Sequence, residues 1–322
     1  MSQLINREHV TWAYRMFLNR EPESAAVVEQ HVRVGHTLDS LRTDFMKSDE
    51  FKALMQRAVP AVRPAAKHVT VERVDTPEVL ATMLAHVGEQ WAELGADEPH
   101  WSVLTADRFR KTQIDQNIDV FRTSGVHEVQ HIGSVLKRNG LQWPKTGVCL
   151  EYGCGVGRVT LALAAECGHV VGADISAAHL KLAQDVAAAQ GLGDKVQWLH
   201  VQGLPDLDQL PGVDLIYSRI VLQHNPPPVI ELILLKLLRT LNPGGVAIFQ
   251  LPTFIPGYSF RVQDYLGALK AGTKQGMEMH MLPQYRVFEL IAQAGCLPCD
   301  VFADESAGPV YTSHTFVVRA KA

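Results

Sequence analysis

Three glycines at alternate positions separate a short apolar run from a helical pattern. The residues are Glu151-Tyr152-Gly153-Cys154-Gly155-Val156-Gly157-Arg158, and Val148–Tyr152 before the glycines has the composition of a short buried strand. A strand, a glycine-rich turn and a helix in succession let the backbone approach a ligand and direct amide N–H groups at it. The spacing therefore predicts a ligand-binding turn at the carboxyl end of a strand.

A carboxylate ends the next predicted strand, His169–Asp174. Beside a glycine turn, such a carboxylate can accept two hydrogen bonds from the diol of a ribose. A dinucleotide-binding turn requires Gly-x-Gly-x-x-Gly, but Val156 or Arg158 occupies the third glycine position, depending on the glycine from which the count starts. The pattern therefore disfavours a nicotinamide dinucleotide and favours another nucleoside ligand.

With Glu151 ending the first strand, the segment 147–250 resembles class I S-adenosylmethionine (SAM)-dependent methyltransferases, and 283–319 is compatible with the end of that fold. The resemblance implies an α/β, Rossmann-like fold with a mostly parallel seven-stranded sheet and helices on both faces. It implies SAM as cofactor and S-adenosylhomocysteine (SAH) as product. The residues that it assigns to cofactor binding are Glu151, Gly153, Gly155, Gly157, Arg158, Asp174, Ile175, Gln202, Gly203, Leu204 and Ser218.

One position departs from the family pattern. After the predicted strand Val196–Val201, many members place an Asp where this chain has Leu204. That Asp accepts a hydrogen bond from the adenine amino group. Backbone groups or Gln202 would have to recognise adenine instead.

Two histidines are candidate general bases. Methyl transfer is an in-line displacement that depends mainly on positioning, but an unactivated hydroxyl acceptor also needs a base, for which His is suited near neutral pH. His224 follows the predicted fourth strand, Val213–Ser218, and resembles a histidine that many small-molecule methyltransferases carry in this loop. A structural or cofactor-contacting role for His224 is the alternative, and His280 is the second candidate base. No metal site is expected, because 218–224 offers no cluster of carboxylate ligands.

The segment 251–282 is longer than an ordinary connection and is predicted to be an acceptor loop or lid. It contains four aromatic residues, most of which we expect to serve in packing. They are Phe254, Tyr258, Phe260 and Tyr265.

The remaining patterns predict a helical N-terminal domain at 1–57, a linker at 58–75, a helical region at 76–146 that caps the active site, and the methyltransferase domain at 147–322. Periodic apolar residues indicate four short helices in the first domain, with Pro22 in the first turn of the second and Ser48 as the cap of the fourth. The alternating pattern of Thr312–Arg319 predicts a last strand. The resemblance to the methyltransferase fold implies that this strand is antiparallel and inserted beside its neighbour.

The N-terminal domain resembles a small helical domain that is often attached to glycan-building enzymes. The motifs Tyr14–Pro22 and Ser48–Phe51 carry this resemblance. It implies a glycan-related acceptor, and for 7–57 either self-association or a partner in glycan assembly.

Charge and composition exclude several classes of protein. Thirty basic and 34 acidic residues give a net charge of -4, so a basic face for nucleic acid is not expected. Asn225-Pro226-Pro227-Pro228 lacks the aromatic residue of the similar motif in adenine methyltransferases, and Asn225 is expected to cap a helix instead. No apolar run is long enough to span a bilayer, and the first residues do not form a signal peptide.

The five cysteines are expected to be reduced thiols in a cytoplasmic protein. Cys296 and Cys299 have the spacing of a zinc or redox pair, but no second ligand pair is near, so two ordinary thiols are expected.

The sequence thus favours a SAM-dependent O-methyltransferase acting on a sugar or glycan. Methylation of a non-sugar metabolite on O, N or C, and SAM binding without catalysis, remain as alternatives. A nicotinamide oxidoreductase is the least favoured hypothesis.

Overall fold

The computed structural model describes residues 4–58, 69–272 and 276–321, with backbone only at 55–58. Most of the predicted linker, 59–68, lies outside the described residues. The chain forms two compact units, Met1–Ala66 and Lys67–Ala322. Among the described residues, no helix combines the length and apolar character that crossing a bilayer requires.

The first unit contains four helices: α1 (Arg7–Leu18), α2 (Ala25–Arg33), α3 (Leu38–Lys47) and α4 (Asp49–Ala58). Their apolar faces form a separate core around Val10, Leu41 and Phe45. Ser48 Oγ accepts from the backbone N–H of Phe51, so the predicted cap of the fourth helix is confirmed. Helix α2 begins three residues after Pro22, because the hydroxyl of Ser24 caps its N-terminus.

The second unit alternates strands and helices after a helical opening. Its elements in chain order are β1 (Thr70–Val71), α5 (Pro77–Asp97), α6 (Ile114–Arg138), β2 (Val148–Tyr152), α7 (Arg158–Leu163), β3 (His169–Asp174), α8 (Ala177–Ala189), β4 (Val196–His200), β5 (Val213–Ser218), α9 (Pro227–Arg239), β6 (Leu241–Phe254), β7 (Ser259–Phe260), α10 (Val262–Lys270), α11 (Gln284–Gln293), β8 (Cys296–Asp304) and β9 (Thr312–Ala320). Short 3-10 turns precede α6, follow β4 and follow β5.

Seven strands form one sheet in the order β4-β3-β2-β5-β6-β9-β8. Neighbouring strands from β4 to β6 pair in parallel, and β9 pairs antiparallel to both β6 and β8. This order confirms the predicted Rossmann-like methyltransferase fold, including the inserted last strand. Strands β3 and β4 extend the sheet on one side of β2, and β5, which follows β4 in the chain, lies on the other side of β2. This reversal of strand order opens a crevice at the carboxyl end of β2.

Successive residues of the central strands face two different cores. Leu150 and Ile216 pack with α5, α9 and α11 on one face of the sheet. Cys149 and Leu215 pack with α6 and α7 on the other face. Burial on both faces explains why these strands read as continuous apolar runs in the sequence.

Part of the segment 251–282 that the structure describes lies in strands and a helix. Strand β6 continues to Phe254, and α10 occupies Val262–Lys270. Strand β7 pairs in parallel with β1, so Thr70–Val71 of the predicted linker belongs to this unit. Residues 242–245 form a register shift inside β6, where Val213 pairs with Leu241 but Leu215 pairs with Val246.

Two further expectations are corrected by the structure. Cys149 and Cys167 form a disulfide, so the prediction that all thiols are reduced is wrong. The prediction that Asn225 caps helix α9 is also wrong: Pro226 occupies the N-cap position and forms no side-chain cap, and the Asn225 amide donates to the carbonyls of Val221 and Leu222. Cys296 is buried and Cys299 is exposed, both as free thiols.

Candidate active site

A cavity of about 560 Å³ opens at the carboxyl ends of β2, β3 and β5, the position that the strand order predicts. Helices α5 and α6 and the turn between them cover it with Trp91, Val103 and Glu128. The segment before α11 closes another side with Met277 and Met279. The helical region at 76–146 therefore contributes directly to the wall of this cavity.

The glycine turn approaches the cavity more closely than any residue with a side chain could. Gly153 and Gly155 have φ angles of +77° and +52°, in the left-handed region that favours glycine. A Cβ on Gly153 would lie 2.3 Å from Val221, and one on Gly155 would lie 2.6 Å from Val103. The turn is thus a cradle whose backbone faces the ligand space.

Asp174 ends β3 beside this cradle and is 8% exposed. Its two carboxylate oxygens accept from the backbone N–H groups of Gly155, at 2.7 Å, and Ser176, at 2.8 Å. Each oxygen has a second lone pair. The carboxylate can therefore accept two further hydrogen bonds, as many as the two hydroxyls of a ribose donate.

Glu151 and Arg158 add polar groups at the other side of the glycine turn. Glu151 is buried and accepts from the hydroxyl of Thr160. Burial raises the pKa of Glu151 to about 8. Arg158 donates from Nη1 to Ser124 at 3.3 Å, and its buried Nε has no partner among the described residues. These groups fit the amino and carboxylate ends of an amino-acid head, which SAM carries.

His224 lies in the 3-10 turn after β5 and lines the cavity. Its Nδ1 lies 2.8 Å from the carbonyl oxygen of Glu278, and because a carbonyl only accepts, Nδ1 carries the proton. Burial lowers the pKa of His224 to about 4, so the ring is neutral at neutral pH. The Nε2 lone pair is consequently the one available to a ligand in the cavity.

The second candidate base, His280, does not line the cavity. Both of its ring nitrogens are engaged: Nδ1 lies 2.7 Å from the Tyr258 hydroxyl, and Nε2 lies 2.8 Å from the Glu278 carboxylate. Tyr265 also donates to this carboxylate, at 3.1 Å. The structure therefore places His280 in a buried polar cluster behind the wall of the cavity.

Ile175 also lines the cavity. Five predicted cofactor residues do not line it, namely Gly157, Gln202, Gly203, Leu204 and Ser218. Gln202 and Gly203 donate their backbone N–H groups to Asp206, and Leu204 packs on the apolar core. Ser218 donates to the carbonyl of Tyr152.

Gly157 also lies away from the cavity, and a Cβ on it would lie 2.9 Å from the indole of Trp198. Ser218 lines a smaller adjoining cavity of about 300 Å³.

Several residues that line the cavity were missed from the sequence. Glu128 accepts from the hydroxyl of Tyr217 and from Arg219. Burial opposes its ionisation, but the positive charge of Arg219 outweighs burial and holds the pKa of Glu128 below its ordinary value. Trp91 contacts His224 edge to face, with ring centroids 5.2 Å apart. Arg219 could have been predicted from its position directly after strand β5. Trp91 and Glu128 lie on helices α5 and α6, where no local motif marks them.

The described residues contain no group of three His, Cys, Asp or Glu side chains arranged to hold a metal ion. The wall of the cavity carries charged side chains, among them Glu128, Arg158 and Asp174.

Residues 149–245 match the family model described as a methyltransferase domain. No curated protein matches the chain. Among solved structures, the magnesium protoporphyrin IX methyltransferase from Synechocystis PCC 6803 with bound SAH is 19% identical, with a TM-score of 0.50 over 73% of this chain and 99% of that chain. The N-methyltransferase NodS from Bradyrhizobium japonicum WM9 in complex with SAH is 13% identical, with a TM-score of 0.47 over the same shares, 73% and 99%.

The likeness to the Synechocystis structure agrees with the fold. The residues matched by the family model include the glycine turn, Asp174 and the turn that carries His224. The prediction of a methyltransferase that uses SAM is confirmed. Residues 149–245 thus correspond to a methyltransferase domain.

Proposed function

We propose that the protein is an O-methyltransferase that transfers the methyl group of SAM to a hydroxyl of a sugar or glycan. The observation that carries this proposal is the neutral His224, whose Nδ1–H is bonded to the Glu278 carbonyl and whose Nε2 lone pair is free for a ligand in the cavity. A hydroxyl acceptor needs such a base, whereas a carbanion or an unprotonated amine does not.

The cofactor-binding part of this proposal rests on the glycine cradle and the acids around it. Asp174 would hold the ribose hydroxyls, while Glu151 and Arg158 would hold the amino-acid head. SAM, when bound, would supply a sulfonium methyl group that a nucleophile can attack, with SAH leaving as the neutral thioether. The residues of the chain then have to bind the acceptor, align its hydroxyl and remove its proton.

His224 performs the last of these tasks in the proposed mechanism. Nε2 takes the proton of the acceptor hydroxyl, while the bond from Nδ1 to the Glu278 carbonyl keeps the ring orientation fixed. The burial that keeps the ring neutral also disfavours the imidazolium. The proton therefore returns readily to water after each turnover.

The choice of a sugar or glycan as acceptor has two supports. The first is the resemblance of the N-terminal domain to those attached to glycan-building enzymes. The second is the wall of the cavity, where Trp91, Met277 and Met279 offer an apolar surface and Glu128 and Arg219 offer polar groups. A sugar ring presents both a C–H face and hydroxyls, which match these two kinds of wall.

The test is methyl transfer from labelled SAM to a panel of saccharides, nucleotide sugars, phenols and amines, with products identified by mass. His224→Gln is the matched control, since its amide can still donate to the Glu278 carbonyl but cannot act as a base. Label on a saccharide hydroxyl with wild type and not with His224→Gln supports the proposal. Label on amines or phenols alone would favour the non-sugar alternative, and SAM binding without any transfer would favour a binding module.

A further inference from the structure

The short segment Met277–His280 presents alternating faces to two environments. Met277 and Met279 line the cavity. Glu278 and His280 point away from it into the buried polar cluster with Tyr258 and Tyr265. This alternation is that of an extended chain, in which neighbouring side chains lie on opposite sides.

The Glu278 carboxylate is the centre of that cluster, and its side chain is 2% exposed. One oxygen accepts from the Tyr265 hydroxyl on α10, at 3.1 Å, and from His280 Nε2, at 2.8 Å. The other lies 3.2 Å from His86 Nε2 on α5. The carboxylate thus ties the segment to the nearby helix α10 and to α5, which is remote from it in sequence.

The protons of the cluster follow from its donors and acceptors. An ionised carboxylate only accepts, so His280 Nε2 carries a proton. His280 Nδ1 then accepts from the Tyr258 hydroxyl. Burial opposes ionisation of Glu278, but the hydrogen bonds from His280, Tyr265 and His86 outweigh burial and lower the pKa of Glu278.

The backbone of the same segment holds the turn that carries His224. The Glu278 carbonyl accepts from His224 Nδ1 at 2.8 Å. The His280 N–H donates to the carbonyl of Gln223 at 2.7 Å. The carbonyl that selects the tautomer of His224 therefore belongs to the residue whose side chain is anchored in the cluster.

We infer that Glu278 is a positioning residue, whose buried carboxylate anchors the segment so that its carbonyl fixes the Nδ1–H tautomer and the orientation of His224. The effect on catalysis rests on the proposed function of His224, whereas the effect on the tautomer does not.

The experiment compares wild type with Glu278→Gln, which keeps the shape of the side chain and removes its charge. Proteins labelled with ¹⁵N in histidine report the tautomer of His224 by NMR, and the signal is assigned by its absence from His224→Gln. We expect Glu278→Gln to lose the Nδ1–H tautomer as the dominant form. We expect kcat to fall by up to about 100-fold, since a misplacement of about 1 Å can have that effect, with unchanged affinity for SAM.

Tyr265→Phe is the milder second variant, because it removes one hydrogen bond to Glu278 and leaves the charge. It should shift the His224 signal in the same direction by less, and it keeps the test valid if Glu278→Gln does not fold. Glu289→Gln is the control, since Glu289 is an exposed carboxylate on α11 that pairs with Arg73. It should leave both the tautomer and kcat unchanged.

An unchanged His224 tautomer in folded Glu278→Gln, or in Tyr265→Phe if that is the folded variant, would overturn the inference. If the wild-type protein methylates no hydroxyl, the proposed function fails, but the NMR comparison still decides the role of Glu278. A change of tautomer in Glu289→Gln would also overturn the inference, because the effect would then not be specific to the cluster.

Discussion

Replacing Asp174 by Asn tests its two roles together, holding the glycine turn and receiving the cofactor. The carboxylate already accepts from Gly155 and Ser176 and has two acceptor sites left. An Asn side chain has one oxygen, and its NH₂ group faces one of the two backbone N–H donors. The variant must therefore lose one existing bond and at least one of the two bonds available to a ribose.

Hydrogen bonds to a charged group contribute about 1.5–3 kcal/mol each, so we expect Asp174→Asn to weaken SAM binding by ~2–4 kcal/mol. That range corresponds to a factor of about 30 to 800 in the dissociation constant. Isothermal calorimetry with SAM and with SAH measures it directly. Both ligands should be affected equally, because they share the ribose.

Asp214→Asn is the matched control. Asp214 accepts from the backbone N–H of Val148 at 2.8 Å and from the Asn242 amide at 2.9 Å, at the start of β5 and away from the cavity. It should reduce the free energy of unfolding without changing SAM affinity. Equal SAM affinities for wild type and Asp174→Asn would refute the assignment of Asp174 to the ribose.

Three further predictions concern turnover, pH and redox state. His224→Gln should reduce turnover by ~10²–10⁴ at unchanged SAM affinity. The kcat of the wild type should fall only as pH approaches about 4, where buried His224 takes up a proton. A kcat that already falls near pH 6.5 would contradict this. Burial raises the pKa of Glu151 to about 8, so this carboxyl stays protonated in the folded state while it ionises above pH 4.5 in the unfolded state. Its contribution to stability is therefore lost as pH rises from about 4.5 to about 8. Glu151→Gln should flatten the dependence of Tm on pH in this range, and an unchanged slope would contradict the assignment. Reduction of the Cys149–Cys167 disulfide, whose cysteines are 18 residues apart, should lower the free energy of unfolding by about 3 kcal/mol; urea denaturation with and without reductant measures the difference, and coincident curves would contradict the linkage.

The central strands could be predicted from the sequence to the residue. Val148–Tyr152, His169–Asp174 and Val213–Ser218 were expected and are observed with these ends. Each is buried on both faces and ends at a glycine or polar residue, so its local composition is sufficient. The glycine turn and Asp174 were predictable for the same reason, since they lie directly after such strands.

The surroundings of the cavity depend on contacts that no local pattern records. The role of Glu278 requires Tyr265 and His86, and His86 lies 192 residues away. Nothing in the local sequence of Thr70 or of Cys149 indicates its partner, which is Ser259 in the strand pairing and Cys167 in the disulfide. Local sequence could identify His280 as a polar residue near the site, but not the two partners that occupy its nitrogens.

The order of the last strands sets a requirement on how the protein is assembled during synthesis. Strand β8 leaves the ribosome before β9, yet β9 lies between it and the rest of the sheet. Neither β8 nor the free edge of β6 can complete its backbone hydrogen bonds until β9 is made. Until then two unpaired edges are open to other chains.

Loss of β9 alone would therefore remove two strands from the sheet. A chain that stops before Thr312 keeps Cys296–Asp304 but has no partner for it, and it leaves the buried Ala247, Ile248 and Phe249 of β6 at an open edge. A premature stop or a proteolytic cut in the 305–311 turn should thus cause aggregation out of proportion to the residues removed. Completion of the sheet beyond β6 therefore depends on β9.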